Sequence, residues 1–175
     1  EMLVEAAEKL RENGNIHFII TGEGAYKQTL EKVIAEKKLD SITLLPFQPY
    51  EDIAHVFSLG DVGLIISKPG IGGSSVPSKA LSIMAAGRPI LASFDEDSEL
   101  VRMIKENGCG IAARADNLEE FIEMIRNLYD KKDKIDAIGR NGRFYVVQNC
   151  DARICTAQYT KILNTLQKAE KKICE

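Results

Sequence analysis

Short apolar runs rich in β-branched residues recur along the chain, and between them apolar residues fall at helical spacing. Residues 17–21, 41–45, 62–66, 90–93 and 110–113 read as five buried strands. Leu3, Ala6, Ala7 and Leu10 mark one face of an opening helix over residues 1–13, and Leu30, Val33, Ile34 and Ala35 mark a second over 26–38. A short helix over 50–59 is entered through Pro49. The next starts near Pro77, carries Leu81, Met84 and Ala85 as its stripe, and stops at Gly87. Helices follow over 98–107, 118–129, about 134–147 and 152–172. Strands alternating with helices through short loops predict parallel βαβ units, and hence a three-layer α/β fold with helices on both faces of the sheet.

That alternation also predicts where a ligand sits. In parallel sheets of this kind ligands bind at the carboxyl ends of the strands, so the loops at Gly22, at Phe47, over 67–75 and over 93–98 are expected to line one edge. The stretch from Gly70 to Ser93 stands out among them: Gly70-Ile-Gly72-Gly73-Ser74-Ser75-Val-Pro-Ser78-Lys79 leads from a strand into a helix. A glycine-rich turn ahead of a helix N-terminus presents backbone N–H groups and the positive end of the helix dipole, a combination suited to an anion and above all to phosphate.

Other motifs fall short of a named chemistry. Gly22-Glu-Gly24 lacks the third glycine of a dinucleotide fingerprint and reads equally as a tight turn. Gly108-Cys-Gly110-Ile-Ala-Ala113 matches that fingerprint by letter but precedes a strand. The run 73–79 misses the second glycine of a P-loop, where Ser78 stands instead, and Ser74 lacks the last glycine of a nucleophile elbow. His17 and His55 read as structural. Asp95-Glu-Asp97 with Glu99 suits either the positioning of ligand hydroxyls or the capping of the helix from Ser98.

Composition narrows the classes. The 175 residues are 45% apolar and 28% charged, enough for one ordinary core. A net charge of -3 excludes broad electrostatic binding of nucleic acid. No apolar run approaches the roughly 20 residues of a membrane span. The four cysteines form no C-x-x-C pair and no His-containing cluster, which argues against structural zinc and for reduced thiols in a cytoplasmic setting. Residue 1 is Glu, and the chain opens inside a helix, so a fragment of a larger protein is expected.

Taken together, Phe18-Ile-Ile-Thr-Gly-Glu-Gly24, Ile42-Thr-Leu-Leu-Pro-Phe47, Gly60-Asp61-Val62, Val76-Pro-Ser-Lys79, Met84-Ala-Ala-Gly-Arg-Pro-Ile90, Ser98-Glu-Leu100 and Asn107-Gly-Cys-Gly110 resemble the nucleotide-sugar-binding C-terminal domain of family 4 glycosyltransferases of the GT-B type. The Ser-Ser-Val-Pro-Ser-Lys and Ala-Ser-Phe-Asp95 runs are most similar to the subgroup that builds bacterial surface polysaccharides, colanic-acid and N-acetylfucosamine transferases among them. The resemblance implies a Rossmann-like sheet and a retaining, metal-independent transfer from a nucleotide-diphosphate sugar, UDP-sugar foremost, with no cofactor. It implies donor contacts at Gly22, Gly24, Phe47, Gln48, Gly72, Gly73, Ser74, Ser75, Ser78, Lys79, Ser82 and Glu99, with Phe47 and Gln48 at the nucleobase. The two glutamates that grip donor sugar and ribose in the wider family are replaced by Ser74 and Ser82, and no catalytic residue is assigned.

The same resemblance implies that the family's first strand, central in the order 3-2-1-4-5-6, and an N-terminal acceptor domain lie outside the chain. Residues 1–175 are then one domain of a two-domain enzyme. Any association with the inner face of a membrane would run through the other half. A gap beside the strand at 17–21, or its closure by another segment, is expected. The alternatives are a GT-B-like nucleotide-sugar epimerase and a non-catalytic nucleotide-binding module.

Overall fold

A computed structural model describes residues 1–12, 14–73 and 76–173. Its strands are β1 (Phe18–Thr21), β2 (Ile42–Leu45), β3 (Gly63–Ile66), β4 (Ile90–Phe94) and β5 (Gly110–Arg114). The helices are α1 (Met2–Lys9), α2 (Lys27–Lys37), α3 (Ile53–Ser58), α4 (Ser78–Ala85), α5 (Glu99–Asn107), α6 (Leu118–Asp130), α7 (Ile135–Asn149) and α8 (Ala152–Ile173). All strand pairing is parallel: Phe18 lies beside Ile42, Gly63 beside Ile90, and Ile90 beside Gly110.

The strands form two ladders, β1–β2 and β3–β4–β5, with no pairing between β1 and β3 among the described residues. This is the gap expected beside residues 17–21. A side-chain core bridges it. One cluster joins Phe18 of β1 and Ile42 of β2 to Leu91 of β4, Ala113 of β5, Val4, Ala6 and Ala7 of α1, and Phe121, Ile122 and Ile125 of α6, with α2 adding Leu30, Val33 and Ile34. A second cluster holds Ile65, Ile90, Ala92 and Phe94 against Ala80, Ile83 and Met84 of α4, Leu100, Val101 and Ile104 of α5, and Val146 of α7. β4 shows why there are two: the period of two turns Leu91 to one face and Ile90, Ala92 and Phe94 to the other, and both faces are covered. β4 is therefore buried at every position, as a strand with a neighbour on each side and helices above and below must be.

Boundaries follow local chemistry. The ladder starts one residue later than the apolar run, at Phe18, whose N–H donates to Ser41 O, while His17 Nε2 sits 2.7 Å from Thr43 Oγ1. β4 and β5 each reach one residue further than their apolar runs because Phe94 pairs with Arg114. The helix expected over 50–59 divides into a 3-10 turn, Tyr50–Asp52, and α3. α5 opens on Ser98, whose buried hydroxyl accepts from Val101 N at 3.3 Å. Ser98→Ala removes that cap and is expected to cost about 1 kcal/mol, read as a lower urea midpoint with an unchanged slope.

α7 reaches α4 through a contact of backbones. A Cβ on Gly139 would lie 2.0 Å from Gly87 O, and a side-chain hydrogen bond from Arg143 to Ala85 O joins the same two helices. α8 extends beyond this core with Tyr159, Ile162, Leu163 and Leu166 more than half exposed. No helix is long and apolar enough to cross a membrane among the described residues.

Candidate functional site

The loop after β3 runs toward α4 beside the end of β4, and its first half is held by a carboxylate. Asp95 follows the last residue of β4. Its Oδ1 accepts from Gly70 N at 3.0 Å and its Oδ2 from Gly72 N at 2.6 Å. Those two backbone donors, with a smaller contribution from Ile71, hold the Asp95 carboxyl below the usual carboxylate range against an opposing effect of burial. A carboxyl whose folded value is depressed stays ionised at neutral pH. The clamp is lost only as pH falls through that depressed value. The loop's sequence is fitted to this contact: Gly70 has φ +83°, and a Cβ on Gly72 would come within 2.8 Å of both Cβ and Oδ2 of Asp95 and 3.0 Å of the Phe94 ring.

The Gly72 N–H, expected among the ligand donors, faces an internal anion in this structure and donates to it. The second half of the loop is different. Gly73 is exposed and has open space around its Cα, and Pro77 precedes α4 without supplying a side-chain cap. A proline N-cap has no side-chain oxygen to offer, which leaves Ser78 N and Lys79 N without a side-chain cap from that residue. Ala80 N bonds Pro77 O, whereas Ser78 and Lys79 are exposed at the helix start, and Lys79 takes part in no ion pair among the described residues. The arrangement can receive an anion through backbone donors, the helix dipole and one mobile cation. Ser74 and Ser75 lie outside the described residues.

The other expected contacts surround this point unevenly. Gly22 continues the β1–β2 ladder, its N–H donating to Leu45 O at 3.1 Å. Gly24 O receives Lys27 N, and Lys27 pairs with Glu23 at 2.8 Å. Phe47 projects from the end of β2 with 73% of its surface exposed, while Gln48 folds its amide back onto Pro46 O at 2.8 Å. Ser82 is half-buried within α4. Glu99 sits in the first turn of α5 and forms an ion pair with Arg102 at 2.7 Å, so its carboxylate already has a cation. Loops after β1, β2, β3 and β4 thus carry the candidate residues at the strands' carboxyl ends, but the unpaired space between β1 and β3 separates the Gly22 loop from the glycine-rich loop in the order of strands.

Burial and pairing account for the shifts at Cys109 and Glu120. Cys109 is fully buried, and burial pushes its thiol up, which keeps it protonated and unreactive. Arg114 and Glu120 pair at 2.8 Å, lowering the Glu120 carboxyl. No group of three or more His, Cys, Asp and Glu that could hold a metal occurs among the described residues.

This layout places the start of α4 and its glycine-rich approach at the carboxyl ends of a parallel sheet, where α/β folds receive ligands. The chain belongs to the glycosyl transferases group 1 family, whose pattern matches residues 1–144. It is 28% identical over 127 residues to WcaI of Escherichia coli K12, a protein named for glycosyl transfer in colanic acid biosynthesis. That match covers 72% of this chain and 31% of WcaI. It is 26% identical over 143 residues to an alpha-D-kanosaminyltransferase of Streptomyces kanamyceticus, covering 81% of this chain and 36% of the relative. The chain therefore spans about a third of the length of these relatives. Its fold is similar to that of HepE from Anabaena, solved in complex with UDP, with a TM-score of 0.78 and 18% identity over 94% of this chain and 44% of that one. These likenesses identify the fold as that of GT-B glycosyltransferases.

Proposed function

We propose that the chain is the donor-binding domain of a retaining glycosyltransferase that takes a nucleotide-diphosphate sugar in the synthesis of a surface polysaccharide or related glycoconjugate. The observation that carries this reading is the uncapped amino end of α4, with exposed Ser78 and Lys79, at the strand ends of a glycosyl transferases group 1 chain. The diphosphate would accept from the Gly73, Ser78 and Lys79 backbone, with the Lys79 ammonium beside it. As the bond to the sugar breaks, negative charge grows on the leaving diphosphate, and donors already oriented toward it stabilise that charge without reorganising. Cationic and backbone groups suffice for this step, so the reading includes no metal and no cofactor.

The UDP bound by HepE supports a uridine nucleotide. Phe47 and Gln48 would then meet the base, Gly22 and Gly24 would border the donor, and Ser82 would offer a hydroxyl to the ribose. The acceptor would bind a second domain of the same protein, working in the cytoplasm at the inner face of the membrane. Calorimetric titration of the intact protein with UDP and UDP-sugars is expected to show binding, and Lys79→Ala is expected to weaken UDP about tenfold through loss of one charge-assisted contact. Absence of binding to any nucleoside diphosphate overturns the reading. A non-catalytic nucleotide-binding module is the second reading, favoured by Ser82 standing where a carboxylate is expected; sugar transfer by the full-length protein would exclude it.

A further inference from the structure

We infer that Asp95 is a positioning residue for the donor's diphosphate: its carboxylate ties down the turn from Gly70 to Gly72 in the glycine-rich loop and so fixes where Gly73 and the start of α4 meet the ligand. The inference rests on the proposed donor-binding function and adds a residue whose place in it is set by geometry. Asp95 follows β4, the only strand with a neighbour on both sides among the described residues, and its backbone is fixed again where Ser98 N donates to Asp95 O at 3.1 Å. From this rigid base the two carboxylate oxygens reach separate amides two residues apart, Gly70 N and Gly72 N.

The loop's glycines are fitted to this contact. Gly70 holds a positive φ that a side chain would resist, and Gly72 lies against Asp95 and Phe94 with no room for a Cβ. Successive N–H groups turned toward one point form an anion nest, and here the nest is filled from within. A second anion cannot share those donors with a carboxylate at hydrogen-bond distance. A diphosphate is therefore directed past Gly72 to the backbone beyond it, where Gly73 N, Ser78 N and Lys79 N have no carboxylate partner among the described residues. A loop so anchored loses less freedom when the ligand arrives, which is how an ordered but untouched segment raises affinity.

Two occupations of the nest predict opposite signs. If Asp95 anchors the loop, Asp95→Asn weakens diphosphate binding, because the amide keeps one acceptor oxygen and turns an NH2 toward an N–H. If Asp95 instead plugs a nest that the diphosphate would fill, removing its charge strengthens binding. The experiment titrates the intact protein and its Asp95→Asn and Asp95→Ala variants with UDP and with uridine, and follows the 15N amide resonances of Gly70, Gly72 and Gly73. The expected result is an approximately tenfold loss of UDP affinity in both variants with uridine affinity unchanged, displaced glycine resonances, and unfolding midpoints close to wild type. A loss confined to the diphosphate is not what a merely structural residue would give. Unchanged or tighter UDP binding in both variants overturns the inference, as does an equal loss for UDP and uridine. If the wild-type protein binds neither UDP nor any other nucleoside diphosphate, the functional reading fails and this inference falls with it, while the Gly70 and Gly72 resonances still report whether the clamp exists.

Discussion

Gly139→Ala is expected to destabilise the protein by about 3 kcal/mol, the upper range for overpacking at a site that cannot relax. The new methyl would sit 2.0 Å from Gly87 O and 2.7 Å from Gly87 C, and both are backbone atoms. Gly87 closes α4 with φ +71° and leads directly into Pro89 and β4, so it cannot retreat without moving a central strand. Either α7 lifts off α4 or the turn deforms. Gly142→Ala, one turn further along the same helix, is the control. Its methyl would meet Met84 Cγ at 3.0 Å and Cys109 Cβ at 3.2 Å, which are side-chain atoms with a few tenths of an ångström to give, and its helix propensity gain offsets part of the strain. Urea unfolding should separate the two variants clearly, and a Gly139→Ala midpoint within 0.5 kcal/mol of Gly142→Ala would show that α7 is not seated as described.

Phe121→Ala should cost about 3–5 kcal/mol, since it removes a fully buried ring and leaves a cavity that its neighbours fill only in part. Phe121 belongs to the cluster that contains residues of β1, β2, β4 and β5, and α6 packs on both α1 and β5. Through α1 and this shared cluster α6 ties β5 to the side of the core that holds β1 and β2. The loss should also be visible in how the protein unfolds: near-UV and far-UV signals that coincide in wild type are expected to separate in the variant. A single coincident transition with a loss below 1 kcal/mol would place the bridge elsewhere.

Much of the fold was legible because its elements bury whole faces. Ile90 to Ser93 declared a strand by its apolar run, and Ser98, Gly87 and Gly108 marked helix ends by chemistry that acts within a few residues. The break between β1 and β3 was legible too, though only through the strand order that the family resemblance carried. The site was less open to reading, because its interactions are long-range. Asp95 was visible as one carboxylate in an acidic run suited to capping or to ligand hydroxyls. Nothing local shows that it crosses 25 residues of sequence to meet Gly70 N. The signal that could have found it is an acid at the end of one strand whose parallel neighbour ends in a glycine-rich loop, since adjacent strand ends bring those two loops together. Gly72 was read as a donor to a ligand for the same reason: a glycine's free N–H is apparent from sequence, but the partner that takes it is not. Glu99, read as suited to ligand hydroxyls or to helix capping, also pairs with Arg102 one helical turn away, a contact the sequence reading did not include.

The separation of β1–β2 from β3–β4–β5 has a consequence for time as well as shape. Backbone hydrogen bonds propagate cooperativity along a continuous ladder, and here none passes from one group of strands to the other among the described residues. Among the described residues the two groups communicate through side chains, chiefly those of a shared core, whose contacts are short-ranged and loosen together when one member leaves. β1 and β2 can therefore open as a unit while β4, flanked on both sides, stays closed. In hydrogen exchange the chain should show two lifetimes, with the Gly22 and Phe47 loops belonging to the shorter and the Asp95 clamp to the longer.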